Sequence, residues 1–318
     1  MRLSEFQLFI FKFKELQMNK LLTSLLFFST KFSVIESGAG SAEDKLETAQ
    51  TKYIETNGVK FSYRTLGPTS GTPLVLLQHF TGTMDSWDPA VINALAKTRP
   101  VIAFNNKGVG ATNGVVADNI ADMTKDAYAF IIALGHKKVD LLGFSMGGFV
   151  AQELAAQHPE LVNKVILAGT THQGGGNNLM KVLGEAFSRA NAPDPRDYLF
   201  FSQSDAGKKA ASEFLPRVYA RQEGRDPESG KEIADAHGKA LIVWTSTPDP
   251  EFKTLNAIHQ PVLVVTGNND TMLPTEGSIE LYKQLKNAQL VLYPDAGHGS
   301  IFQYHESFVN TANFFLSH

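Results

Sequence analysis

Six short apolar runs rich in β-branched residues punctuate the chain: Pro73–Phe80, Val101–Asn105, Val139–Phe144, Val162–Gly169, Pro261–Gly267 and Ala288–Tyr293. Each is apolar nearly throughout, the pattern of a strand buried on both faces. Helical stretches at about 88–97, 118–134, 146–157, 275–286 and 302–316 lie between or after them. In the last, Ile301, His305, Phe308, Val309, Ala312, Phe315 and Leu316 share one face of a 3.6-residue period. Strands alternating with helices predict an α/β fold, a mostly parallel doubly wound sheet covered on both sides. Ahead of these runs, Lys52–Thr56 and Val59–Thr65 flank Asn57-Gly58, the signature of a hairpin with a tight turn.

One interval breaks the alternation. Between Thr170 and His259 there is no strong strand, but helical runs near 178–190, 206–222 and 231–243 are separated by proline breaks at 193, 195, 216, 227, 248 and 250. A helical insert between two core strands predicts a cap over the carboxyl ends of the strands, where such sheets bind ligands. The expected organisation is a core of residues 51–170 and 260–318, a helical cap over 171–259, and an N-terminal extension over 1–50. Within that extension, Met18-Asn19-Lys20, an apolar run over Leu21–Phe28 and the small residues Gly38–Ala42 resemble a secretory signal beginning at Met18. Cleavage there implies export; without it the expectation is a cytoplasmic protein.

Composition removes several function classes. A net charge of −3 with no long block of one sign argues against a nucleic-acid partner. The absence of cysteine excludes disulfides, thiolate metal sites and thiol nucleophiles. The nine histidines show no metal-ligand spacing, so neither a metal nor a cofactor is expected. No apolar run is long enough for a stable membrane span. Oligomeric state is not legible in the sequence.

Three segments carry chemistry. Gly143-Phe144-Ser145-Met146-Gly147 matches G-x-S-x-G between a strand and a helix former. A strand turning directly into a helix forces the serine into a strained backbone. Small residues two positions either side let strand and helix approach, and the Met146 N–H at the helix start points where an anion would form. Asp270 follows the Pro261–Gly267 strand; it can orient a histidine, or serve as a local turn or capping carboxylate. His298, between two glycines after Tyr293, suits an exposed base or an ordinary loop histidine. The order Ser145, Asp270, His298, each just past a strand, supports the catalytic alternative for both.

On these motifs the chain, over about residues 52–318, resembles the α/β-hydrolase fold family, and among its members the small serine esterases and cofactor-free perhydrolases. The resemblance implies that Ser145 is the nucleophile, His298 the base and acid, and Asp270 its orienting carboxylate. It also implies an oxyanion hole from the backbone N–H groups of Phe80 and Met146. The family's H-G-x loop reads Gln78-His79-Phe80 here, aligned on Trp87. Its D-x-R-G-x-G-x-S loop reads Asn105–Thr112, a departure expected to alter packing; the chance likeness of that loop to a dinucleotide fingerprint lacks its third glycine at Asn113. The expected function is hydrolysis of a small carboxylic ester or related acyl substrate through an acyl-enzyme. Perhydrolysis, lactone hydrolysis and a non-catalytic ligand-binding role on the same fold are the alternatives. The Phe80 and Met146 side chains are expected to flank the serine and favour small or medium acyl groups.

Overall fold

In a computed structural model of the protein, residues 45–176, 179–189 and 194–318 are described. The signal-like segment at Met18 lies outside them. Strands β1 (Lys52–Thr56) and β2 (Val59–Leu66) form the hairpin, with Asn57 (φ 50°) and Gly58 (φ 75°) both left-handed. That pair of conformations matches the twist of the flanking strands. Next come β3 (Leu74–Leu77), α1 (Pro89–Ala96), β4 (Val101–Phe104), α2 (Ile120–Ala133), β5 (Val139–Phe144), α3 (Met146–Gln157) and β6 (Val162–Ala168). Among the described residues five helices then precede the next strand: α4 (Leu179–Ser188), α5 (Arg196–Phe200), α6 (Asp205–Val218), α7 (Lys231–Ser246) and α8 (Lys253–Asn256). The chain closes with β7 (Val262–Gly267), α9 (Thr275–Gln284), β8 (Ala288–Tyr293), α10 (Ser300–Gln303) and α11 (His305–Ser317).

The eight strands form one sheet in the order β1-β2-β4-β3-β5-β6-β7-β8, antiparallel through β2–β4 and parallel from β4 to β8. Strands β3, β4, β5 and β7 are buried at every residue, as their continuous apolar runs require. β8 departs from that expectation. Among the described residues it is the edge strand, paired only with β7, and its burial is partial, with Leu292 43% exposed.

Three further expectations are corrected. β3 ends at Leu77 because Gln78 turns inward and bonds the loop: its Nε2 donates to the Thr83 carbonyl (2.7 Å) and its Oε1 accepts from His79 N–H (2.8 Å). The last helix is split at Tyr304 (φ −106°, ψ 39°), whose ring stacks on Tyr293 at 4.8 Å and whose hydroxyl donates to the Pro294 carbonyl. Pro216 does not break its helix: it lies inside α6, which ends two residues later. The apolar face of α11 is otherwise as patterned, with Phe308, Val309, Ala312, Phe315 and Leu316 buried and the helix packed on α1.

Buried charge ties the insert to the sheet. Arg64 on β2 donates to both carboxylate oxygens of Asp85 (2.5 and 3.3 Å). Asp85 Oδ2 also accepts the backbone N–H of Asp226 from the insert (2.7 Å), and Asp226 Oδ1 accepts Ala111 N–H (3.1 Å). Arg221, ahead of Asp226, donates to the Ala49 carbonyl (2.9 Å), and Arg217 on α6 forks onto Asp88 at the start of α1 (2.9 and 2.7 Å). Arg64 with Asp85 and Arg217 with Asp88 are held as hydrogen-bonded pairs, the condition for keeping ions out of water, whereas Asp226 Oδ2 has no hydrogen-bond partner among the described residues and burial raises the pKa of that carboxyl.

Candidate active site

The turn from β5 into α3 is built on close approach. A Cβ on Gly147 would lie 2.0 Å from the Leu77 carbonyl oxygen, and one on Gly143 would lie 2.5 Å from the Gly147 carbonyl oxygen. Only glycine fits at either place, and the helix can therefore start directly over β3. Ser145 between them has φ 55° and ψ −121°, a conformation side chains rarely take. Its backbone is gripped on both sides: the N–H donates to Ala168 (2.9 Å), and the carbonyl accepts from Gly148 N–H (2.8 Å) and Thr170 Oγ1 (2.9 Å).

Asp270 follows β7, and His298 follows β8. Because β7 and β8 are neighbours, both loops open at the same sheet end as Ser145, and His298 Nδ1 meets Asp270 Oδ2 at 2.9 Å. The other carboxylate oxygen accepts the Met272 and Leu273 N–H groups, each at 3.0 Å. Asp270 is thus at once a turn carboxylate and the partner of a histidine. Its negative charge favours the tautomer with hydrogen on Nδ1 and leaves Nε2 as the acceptor. His298 is 1% exposed, and among the described residues its Nε2 has no hydrogen-bond partner. His298 and Ser145 line one cavity of about 100 Å³.

Phe80 borders the same cavity, as expected of a side chain flanking the serine; the Met146 side chain is buried and is not among the residues that line the cavity. Among the described residues neither the Phe80 nor the Met146 backbone N–H donates a hydrogen bond within the protein. The two loop departures are structural: Gln78 closes the turn as described, and Asn105 accepts Met84 N–H (2.7 Å) while its amide donates to Ser62 Oγ (2.9 Å). Among the described residues no group of histidine and carboxylate side chains is placed to hold a metal ion.

The sequence did not reveal the cavity walls. Leu183, Leu199, Phe200, Arg196 and Tyr219 all come from the insert. Phe200 stands edge-on to Phe144 (5.3 Å) and to His79 (5.3 Å), closing the apolar side. On the polar side Arg196 donates to both oxygens of Asp194 (2.9 and 2.6 Å) and to Tyr219 Oη (2.8 Å). Burial opposes both charges of that pair, but their hydrogen bonds prevail: Asp194 stays below its usual pKa, and Arg196 is raised. Burial lifts the Tyr219 hydroxyl to about 12. His79 is pushed down to about 3 by burial and then by the Arg196 guanidinium, so it is neutral at pH 7. A local clue was the apolar run Tyr198–Phe201, which supplies Leu199 and Phe200 to the wall.

A serine in a left-handed turn between strand and helix, opening on a cavity with a histidine–aspartate pair, is an arrangement with known relatives. A sequence profile of the α/β-hydrolase fold matches residues 72–303, and the chain belongs to that family; it is an enzyme of the hydrolase class. A solved α/β-hydrolase fold protein from Chitinophaga pinensis is 41% identical, with a TM-score of 0.82, covering 86% of this chain and 99% of its own. A protein of Mycobacterium tuberculosis, named provisionally as a non-heme bromoperoxidase, is 30% identical over 270 residues, 78% of this chain and 95% of the relative. The pimeloyl-[acyl-carrier protein] methyl ester esterase of Nitrosomonas europaea is 26% identical over 268 residues, 81% of this chain and 96% of the relative.

Proposed function

We propose that the protein hydrolyses a small carboxylic ester or related acyl substrate through a Ser145–His298–Asp270 triad, with residues 171–259 acting as a cap. The observation that carries this is the convergence of a strained Ser145 and an Asp270-paired His298 on one cavity. A serine hydroxyl is a poor nucleophile at neutral pH and needs a base within reach. His298 Nε2 takes the Oγ proton as Oγ bonds to the carbonyl carbon. The oxyanion that forms accepts from the Phe80 and Met146 N–H groups, each contributing about 10²–10³ in rate. Collapse of that intermediate breaks the ester C–O bond, and His298 returns the proton to the leaving alcohol. Water, deprotonated by His298, then releases the acid and restores Ser145. The small size of the cavity and its apolar residues Phe80, Leu199 and Phe200 favour a short acyl chain.

The test is fluorophosphonate labelling with peptide mapping, beside Ser145→Ala and His298→Ala. A single adduct on Ser145, absent from Ser145→Ala and nearly lost in His298→Ala, is expected. A folded protein that forms no adduct refutes the assignment. Perhydrolysis is a second reading, favoured by the name of the Mycobacterium relative. It uses the same acyl-enzyme with hydrogen peroxide in place of water, and peracid formation from a short acid and peroxide would distinguish it.

A further inference from the structure

Thr81 follows Phe80 directly and has a left-handed backbone (φ 58°). For a β-branched residue this conformation is unfavourable and persists only where the surroundings enforce it. Both of its backbone polar groups are taken by side chains of the insert. Its N–H donates to Nδ1 of His237 on α7 (3.0 Å), and its carbonyl accepts from Oγ of Ser229, just ahead of α7 (2.7 Å). These partners lie 156 and 148 residues away in sequence.

The tautomer follows from the contact. An amide N–H can only donate, so His237 Nδ1 is unprotonated and the hydrogen sits on Nε2. That Nε2 is buried without a partner among the described residues, and the ring is 0% exposed, 6.3 Å from the Phe80 ring. An apolar side chain would fill the space without stranding a donor, so the imidazole is not explained by packing. The far flank of the loop is held from the core, by Gln78 on the Thr83 carbonyl and Asn105 on Met84 N–H. The flank next to Phe80 is held from the insert.

We propose that His237 and Ser229 are positioning residues that lock Thr81 left-handed and thereby aim the Phe80 N–H at the oxyanion. The oxyanion hole is then complete only while α7 is seated on the loop. This rests on the assignment of Phe80 as a donor in the proposed mechanism. The test compares the parent with His237→Phe, which keeps a ring but no acceptor, and His237→Asn, whose Oδ1 can accept from Thr81. Ser229→Ala and Ser145→Ala are run beside them. Two readouts are used: hydrolysis of p-nitrophenyl acetate, and amide hydrogen exchange across residues 78–83.

Misplacement of a reacting group by about 1 Å costs on the order of 10²-fold, so kcat in His237→Phe is expected to fall by about 10–100-fold, with KM changed less than about threefold. Exchange at Thr81 is expected to accelerate in His237→Phe, and both effects to be largely reversed in His237→Asn. Ser229→Ala should show the smaller version of the same pattern, and it carries the test if His237→Phe does not fold. Faster exchange with unchanged kcat, or equal losses in the Asn and Phe variants, overturns the proposal while leaving the triad intact. Parent turnover that survives Ser145→Ala overturns the assignment of the site itself, and this role with it. The two failures are separable because exchange at Thr81 does not depend on Ser145.

Discussion

Acidification puts a proton on His237 in the unfolded chain well before the native protein can accept one. Burial alone lowers its pKa from 6.5 to about 4. The folded value lies below the unfolded one, so the contribution to stability is complete above about pH 6.5 and is lost as the pH falls toward about 4. Each unit inside that window is worth about 1.4 kcal/mol, and the whole window about 3 kcal/mol. His237→Asn removes the titrating group while keeping an acceptor for Thr81 N–H. Guanidinium denaturation of both proteins at a series of pH values from 7 to 4, at constant ionic strength, isolates the effect. The parent should lose about 3 kcal/mol more than the variant across the range. Lys107 and Asp126, which border a small cavity with His237, and the buried His79 are common to both proteins, so their background titration largely cancels. Stability curves that fall in parallel would refute the claim that His237 is held neutral by burial.

Asp270→Asn should leave the accepting contacts to Met272 and Leu273 in place but remove the charge facing His298. Turnover is expected to fall by about 10⁴-fold with the melting temperature shifted by only a few degrees, read by ester hydrolysis and thermal melts. Asp85→Asn should leave the Arg64 guanidinium short of its carboxylate in a site where neither side chain is more than 2% exposed. Breaking such a pair is expected to cost about 3 kcal/mol by chemical denaturation, and the loss should be insensitive to salt because the pair is out of reach of screening ions.

Much of the architecture was legible because its signals are local. Leu74–Leu77 and Val262–Gly267 are buried on both faces, and a continuous apolar run announces that. β8 shows the limit of the rule: Ala288–Tyr293 reads the same, yet it lies at the sheet edge, and position in a sheet is not written in a strand's own residues. Ser145 stood out for its glycines, whose spacing reflects the contact of α3 with β3. The meeting of His298 with Asp270 depends on β7 lying next to β8, which order along the chain suggests but does not state. The cavity wall was out of reach. Arg196, Leu199 and Phe200 matter because α5 packs over Ser145, and nothing in their own periodicity says which way that short helix faces. Gln78 and Asn105 looked like lost family residues. In the fold each is a different side chain bracing the same loop, a substitution visible only with its partners in place.

The stitching of the insert to the sheet also bears on what recombination can do with this scaffold. Chain crossovers at the ends of β6 and β7 bracket the insert that supplies one wall of the cavity. The seams run elsewhere: Asp226 donates its backbone N–H to Asp85, Arg217 forks onto Asp88, and Ser229 and His237 clasp Thr81. A foreign insert lacking these partners would leave the Asp88 carboxylate without its guanidinium and the Thr81 amide without an acceptor. A grafted insert is therefore expected to seat only when the Thr81–Asp88 segment is exchanged with it, as one unit split across distant stretches of the chain.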